Sequence, residues 1–267
     1  MPCYLADAEG EVLAMKAVTI FPHNRESFDC PTTLGFVVLY NPATGQPLAF
    51  LEAEHLTARR TAAGCALAST YLARPESSVL GVLGAGMQAA AHVDALASLF
   101  GLSLVKVFSP SPSVTDEFCS RLGAAHGIEF KACRTPAGCV AGADIVCAAT
   151  NSSVPVLAAT DLPPGVHINA IGSYRPDMAE LNVETVAKAR VFVDSRDAAQ
   201  RGAGELIQAA GSGLWDWSGL VGELSDLVLG RVPGRQSEHE MTLFKSVGLA
   251  VQDATSAQAV YQRAIKI

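Results

Sequence analysis

The run Gly84-Ala85-Gly86-Met87-Gln88-Ala89 carries the most explicit chemistry in this sequence. It has the form G-x-G-x-x-A, follows the apolar segment Val79-Leu80-Gly81-Val82-Leu83 and opens a helix-forming stretch. In that setting Gly84 permits a tight turn and Gly86 lets the backbone approach a pyrophosphate. Ala89 lets helix and sheet pack closely, while the free N–H groups of the helix start face the phosphates. The spacing therefore predicts a dinucleotide held by Gly84, Ala85, Gly86, Met87 and Gln88. An NAD site normally places a carboxylate at the end of the second strand, to hold the ribose 2′-hydroxyl. Here that end reads Phe108-Ser109-Pro110-Ser111-Pro112-Ser113. No acid repels a 2′-phosphate, and Ser109 and Ser111 offer hydroxyls to one, although the arginine usual in NADP sites is missing. NADPH is the favoured cofactor, with NADH possible. Thr150 and Asn151, just past the apolar Ile145–Ala149, are expected at the same carboxyl edge of a sheet.

Three charged residues invite a role. Lys16 interrupts Leu13-Ala14-Met15-Lys16-Ala17-Val18, where a lone charge costs several kcal/mol if buried without a partner. A lysine there could pair a carboxylate or donate a proton. Arg60 follows Arg59 in the expected first turn of a helix, where a cation opposes the macrodipole by roughly 0.3–1 kcal/mol. Its guanidinium could hold a carboxylate in a two-pronged grip. Glu223, in Gly222-Glu223-Leu224, could stabilise a cationic group, with Asp226 as the alternative. The six histidines show no metal-ligand spacing and no G-x-S-x-G nucleophile turn occurs, so metal and hydrolase chemistry are not expected.

These residues must be positioned by elements whose pattern changes along the chain. From Val12 to Leu51 the pattern is short and strand-like, with Asn41-Pro42-Ala43-Thr44-Gly45 as a hairpin turn. From Thr57 an Ala-rich helix runs through Ala58 to Leu72, stopped by Arg74-Pro75. Apolar strands then alternate with helices: strands at 79–83, 104–108, 129–132, 145–149, 167–171 and 191–193, helices at 87–100, 114–125 and about Pro136 to Ala141. That rhythm predicts βαβ units and a parallel sheet covered on both faces. The end differs, with a strand at 241–244 and an amphipathic helix at 248–265. The expected fold class is α/β, a Rossmann-type doubly wound parallel sheet at 59–239 plus a smaller α+β domain built from both chain ends, 1–58 and 240–267. The 267 residues suffice for two such domains.

Composition narrows the partners. Apolar residues make up 49% and charged residues 17%, which excludes whole-chain disorder. With 19 Lys+Arg against 26 Asp+Glu the net charge is -7, which repels nucleic acid and anionic membranes. The sequence has no run of about 18 apolar residues and no signal-peptide start, so a cytoplasmic protein is expected. The seven cysteines never fall at C-x-x-C spacing and read as small reduced hydrophobes.

Several segments together resemble the ornithine cyclodeaminase/mu-crystallin family. They are Lys16 to Asn24, Leu56 to Ala63, Gly84 to Ala89, Ile168 to Asp177, Val191 to Ser195, Gly222 to Leu224 and Thr242 to Ala250, in the family's order. The resemblance implies a homodimer of two-domain subunits, the smaller domain binding substrate and joining the subunits, with hydride chemistry on α-amino or α-imino acids. It strengthens Lys16 and Arg60 as catalytic residues, implies that Lys16 could pass a proton to an imine nitrogen and Glu223 stabilise the protonated iminium, makes Thr61 a hydroxyl donor to the cofactor, and places Ser246 and Val247 against the nicotinamide. Met1-Pro2-Cys3-Tyr4 resembles a strand that follows a further N-terminal segment in the family. The sequence is therefore expected to start inside the family pattern, without that segment's substrate-binding arginine. The cyclodeaminases place an aspartate where Tyr174 stands in Gly172-Ser173-Tyr174-Arg175-Pro176-Asp177, so the pattern is similar to the ketimine reductase branch. The expected function is NAD(P)H-dependent reduction of a small ketimine acid such as Δ1-pyrroline-2-carboxylate or Δ1-piperideine-2-carboxylate. The alternatives are an ornithine cyclodeaminase, an alanine dehydrogenase-like enzyme and a non-catalytic, crystallin-like NADPH-binding protein.

Overall fold

The computed structural model describes residues 1–8, 10–21 and 23–266, without the side chains of Arg25 and Glu26. Pro22 of the Phe21-Pro22-His23-Asn24 segment lies outside the described residues. The chain forms two compact units, residues 1–61 with 248–267 and residues 62–247.

The first unit begins with strands β1 (Pro2–Asp7) and β2 (Gly10–Ile20), helix α1 (Asn24–Phe28), and strands β3 (Thr33–Tyr40) and β4 (Pro47–Glu52). The strands form an antiparallel sheet in sequence order. The hairpin between β3 and β4 turns on Asn41, whose side chain accepts from the amides of Ala43 and Thr44. Alternation along the strands gives this sheet two faces. Ala14, Val37, Leu39, Ala49 and Leu51 point inward to one core cluster. Tyr4, Met15, Leu34, Phe36 and Phe50 point the other way and are exposed, Phe50 by 72%.

Helix α2 (Ala53–Leu72) follows β4 without a loop, and the unit boundary falls within it. It starts four residues earlier than the sequence pattern suggests because Glu52 caps it. The Glu52 carboxylate accepts from the amides of Glu54 and His55, two donors that a helix start leaves unsatisfied. Arg60 consequently lies about two turns in, and the macrodipole argument for it does not apply.

The second unit contains β5 (Val79–Leu83), α3 (Met87–Ala97), β6 (Leu104–Phe108), α4 (Pro112–His126), β7 (Glu129–Ala132), α5 (Pro136–Val140), β8 (Ile145–Ala148) and β9 (His167–Ala170). It continues with α6 (Val183–Lys188), β10 (Arg190–Val193), α7 (Arg196–Gly202), α8 (Gly204–Ser212), β11 (Leu220–Glu223), α9 (Leu224–Val228) and β12 (Thr242–Lys245). Its eight strands pair in the order β11-β10-β12-β9-β8-β5-β6-β7. Every pair is parallel. Strand β8 shows why the sheet is covered twice: Ile145 and Cys147 join one core cluster while Val146 and Ala148 join another. Both faces are apolar, so both need helices. The chain leaves β5 toward β6 and β7, then returns to β8 on the other side of β5. This reversal is the switch point at which doubly wound sheets bind ligands.

Strand β12 corrects the expected domain boundary. The pattern assigned residues from 240 onward to the smaller domain, yet β12 pairs with both β10 and β9 inside the parallel sheet. The chain passes into the first unit only at Gly248, and helix α10 (Ala250–Ala264) packs on the antiparallel sheet through Ala254 and Ala257. Five of the seven cysteines are buried as core residues. Among the described residues no helix is long and apolar enough to cross a membrane.

Candidate active site

The glycine turn lies where β5 ends at the switch point. Gly84 takes φ +108°, and a Cβ there would run into the Ala149 carbonyl oxygen. Its amide donates to the Phe108 carbonyl at 2.8 Å, tying the turn to the end of β6. Gly86 is the N-cap of α3 and supplies no side-chain cap, so the first amides of α3 await an acceptor. A Cβ on Gly86 would meet nothing within 4 Å, which leaves the approach to those amides open. Ala89 is buried, and the buried Gln88 Oε1 has no hydrogen-bond partner. An open cradle over uncapped amides, with an orphaned acceptor beside it, fits a dinucleotide pyrophosphate and its neighbouring groups.

The other expected cofactor residues occupy the same carboxyl edge of the sheet. Ser109 sits just past β6, its hydroxyl 2.7 Å from Thr115 Oγ1 and donating to the Ser111 carbonyl at 3.0 Å. It braces the turn, while the Ser111 hydroxyl faces solvent 3.2 Å from that of Ser113. Thr150, past β8, donates its amide (2.6 Å) and hydroxyl (2.9 Å) to Glu180 Oε1. The other oxygen of Glu180 accepts the Gly172 amide at 2.6 Å, past β9. One buried carboxylate thus clasps the loops of adjacent strands, and burial raises its pKa. Asn151 is exposed beside this clasp. Past β12, the Ser246 hydroxyl and Val247 amide both donate to Asp194 Oδ2 at 2.9 Å. Lys245, fully buried, donates to the Ser173 carbonyl (2.5 Å) and hydroxyl (2.9 Å) and pairs with Glu205 at 3.3 Å.

The first unit gathers the charged residues. Lys16 on β2 and Arg60 on α2 are both buried, whereas neighbouring Arg59 is exposed. Between them stands Asp253 of α10, 2% exposed. Its Oδ2 lies 2.7 Å from Lys16 Nζ, and its Oδ1 lies 3.0 Å from Arg60 Nε. Arg60 Nη1 also donates to Gln252 Oε1 at 2.8 Å. Gly248 takes φ +84°, and any side chain there would strike the Arg60 guanidinium. Burial and the Arg60 charge lower the Lys16 pKa, and Asp253 opposes both. Two buried cations share one buried carboxylate, leaving one positive charge for an anionic ligand.

The chain matches the ornithine cyclodeaminase/mu-crystallin family over residues 1–266. It belongs to that family. The Δ1-pyrroline-2-carboxylate reductase of Bacillus cereus is 36% identical over 97% of this chain and 80% of its own length. Among solved structures, the Thermococcus litoralis Δ1-pyrroline-2-carboxylate reductase in complex with NADH and L-proline superposes with a TM-score of 0.93 at 31% identity. That match covers 100% of this chain and 86% of the other. An archaeal alanine dehydrogenase dimer with bound NAD gives a TM-score of 0.90 at 32% identity, covering 100% and 85%.

The structure brings Lys16 and Arg60 together on Asp253 and sets the residues expected to hold a dinucleotide along one sheet edge. Two expectations change. Thr61 donates its hydroxyl proton to the Thr57 carbonyl at 2.7 Å inside α2, so it is left as an acceptor rather than a donor. Glu223 ends β11, the edge strand, and its carboxylate accepts the Arg196 amide at 2.7 Å. Asp226 accepts the Glu223 amide at 3.1 Å at the start of α9, so one of the acids named for the iminium is held at the start of α7 and the other at the start of α9. The acid that stands beside Lys16 and Arg60 is Asp253, which is not among the residues expected from sequence. Its signal was present: Asp253 shares the buried stripe of α10 with Ala254 and Ala257, the one charged member of that face. Among the described residues no group of three metal-ligating side chains occurs.

Proposed function

We propose that this chain reduces the C=N bond of a small ketimine acid, with Δ1-pyrroline-2-carboxylate and Δ1-piperideine-2-carboxylate as the substrate class, to the corresponding amino acid. The observation that carries this reading is the buried Lys16-Asp253-Arg60 group with one cation in excess. A substrate carboxylate balances that charge, and the planar Arg60 fork orients the imine carbon attached to it. A bound reduced nicotinamide supplies the hydride. As the C=N electron pair moves to nitrogen, a proton must reach that nitrogen, and the Lys16 ammonium is the donor we assign. The uncapped start of α3 and the loops at Ser109, Thr150, Asn151, Ser246 and Val247 hold the dinucleotide. The acid-free end of β6 supports NADPH as well as NADH.

The deciding experiment follows reduced-cofactor absorbance with cyclic ketimines, with pyruvate plus ammonia, and with ornithine plus NAD. Ketimines should oxidise the cofactor fastest. Consumption of ornithine alone with release of ammonia would refute the reading. Likeness to the alanine dehydrogenase favours a second reading, which faster turnover of pyruvate plus ammonia would establish.

The protein acts as a homodimer in this proposal. Support comes from the exposed apolar face of the antiparallel sheet, where the Phe36 and Phe50 rings lie tilted against each other with centroids 6.3 Å apart. Contiguous apolar surface of this kind marks an association site. Sedimentation should give a dimer for the unmodified chain and a monomer for Phe50→Asp, and a monomeric unmodified chain would end the idea.

A further inference from the structure

Asp253 joins the two cations and takes no step of its own in the reduction. It sits in the first turn of α10, on the face turned to the antiparallel sheet, and each of its oxygens meets a different cation. We propose that Asp253 is the positioning residue of this site: it keeps Lys16 in the ammonium form and turns the Arg60 guanidinium so that one edge is held and another serves the substrate carboxylate. The inference rests on the reading of Lys16 and Arg60 as substrate-handling residues.

The geometry supports each half. Arg60 is held by an ion pair between its Nε and Asp253 and by a hydrogen bond from its Nη1 to Gln252, neighbouring residues of one helix. Gln252 is itself held, because the Leu249 amide donates to its Oε1 at 3.2 Å. The guanidinium plane is thereby set by α10, and a planar fork set in advance loses less freedom when it grips a carboxylate. Lys16 forms an ion pair with Asp253 and donates to Thr57 Oγ1 at 3.5 Å. Whether Lys16 pairs with the substrate or protonates the imine nitrogen, it must carry its proton.

The charges around Lys16 show why that form needs support. From α2 it faces Arg60 and the Thr57 hydroxyl, and from α10 Asp253. Val37 is opposite it on β3, and Cys3 of β1 is coupled to Asp253. Burial and Arg60 both favour the neutral amine; Asp253 is the anion that opposes them. Removing the carboxylate while keeping its shape should make Lys16 lose its proton at lower pH.

The test measures kcat/KM for Δ1-pyrroline-2-carboxylate at saturating NADH from about pH 6 to about pH 10. The proteins compared are the unmodified one, Asp253→Asn, Asp253→Glu and Lys16→Met. Substrate titration is common to all four. In Asp253→Asn the alkaline limb should move down by about one pH unit or more, with a raised KM for the imine and unchanged NADH affinity. Asp253→Glu should leave the limb in place and raise only KM. A reduced amplitude with an unmoved limb in Asp253→Asn would make Asp253 a merely structural residue and overturn the inference. If Asp253→Asn does not fold, the Glu variant decides: a several-fold rise in imine KM at a fixed limb supports the assignment, and an unchanged KM overturns it. Lys16→Met separates the two levels, because near-normal activity there refutes the role of Lys16 itself, whereas an inactive Lys16→Met beside an unmoved Asp253→Asn limb refutes only the role of Asp253.

Discussion

Truncating Arg60 probes the proposed substrate grip at the group that carries it. In the structure the guanidinium serves Asp253 through Nε at 3.0 Å and Gln252 through Nη1 at 2.8 Å. A lysine offers a point charge and cannot serve both while also gripping a carboxylate, so Arg60→Lys should already cost activity. Arg60→Ala removes the excess positive charge altogether, because Lys16 and Asp253 then neutralise one another at 2.7 Å. A truncated charged contact in a closed site costs about 2–5 kcal/mol, and the lower value corresponds to about 30-fold. The expected fall in kcat/KM is therefore about 30-fold or greater, most of it in KM if the carboxylate is held equally before and during hydride transfer. The alanine variant should remain folded, since Asp253 keeps Lys16 as its partner. The assay is steady-state kinetics with a cyclic ketimine, alongside NADPH and NADH dissociation constants by fluorescence titration, which should barely change. A folded Arg60→Ala protein with near-normal turnover would refute the reasoning, and loss of dinucleotide binding alone would make Arg60 a cofactor residue.

Three further outcomes follow from particular contacts. Ser109→Asp should shift cofactor preference toward NADH by placing a ribose acceptor that repels a 2′-phosphate at the end of β6; an unchanged ratio of the two dissociation constants would count against that placement. In Gly172→Ala the new methyl meets the Thr150 carbonyl and the Glu180 carboxylate, so the clasp between the β8 and β9 loops must open. A cost of about 1–3 kcal/mol and weaker dinucleotide binding are expected, and unchanged melting and affinity would dismiss the clasp. Burial holds His92 at about 4 and His167 at about 3, below the unfolded value near 6.5. Their stabilisation is complete above pH 6.5 and is lost as pH falls toward the folded values, by about 2 kcal/mol each at pH 5. Urea midpoints should drop steeply between about pH 6 and pH 4.5, with about half that slope lost in His92→Gln; an equal slope in the variant would refute the assignment.

Much of the second unit was legible in the sequence because its signals are local. A buried parallel strand is a short apolar run, and the glycine turn is a contiguous motif whose chemistry depends on its own backbone. The start of α2 was read late because Glu52, its cap, belongs to the preceding strand and lacks the usual Ser, Thr, Asp or Asn identity. Strand β12 was assigned to the wrong domain because four residues cannot state which sheet accepts their hydrogen bonds.

Lys16 and Arg60 could be named from sequence because each is a charge out of place in its local pattern, and the family motifs supported both. What joins them is a third residue, 193 positions beyond Arg60, on a helix that looks like an ordinary amphipathic segment. Sequence determined the sheet type, the cofactor class and two members of the charged group, since apolar periodicity and the glycine turn act through neighbours in the chain. Only tertiary structure decided that Glu223 and Asp226 accept backbone amides at helix starts while Asp253 joins Lys16 to Arg60. A carboxylate's role is set by the donors within about 3 Å of it, and chain order does not encode those distances.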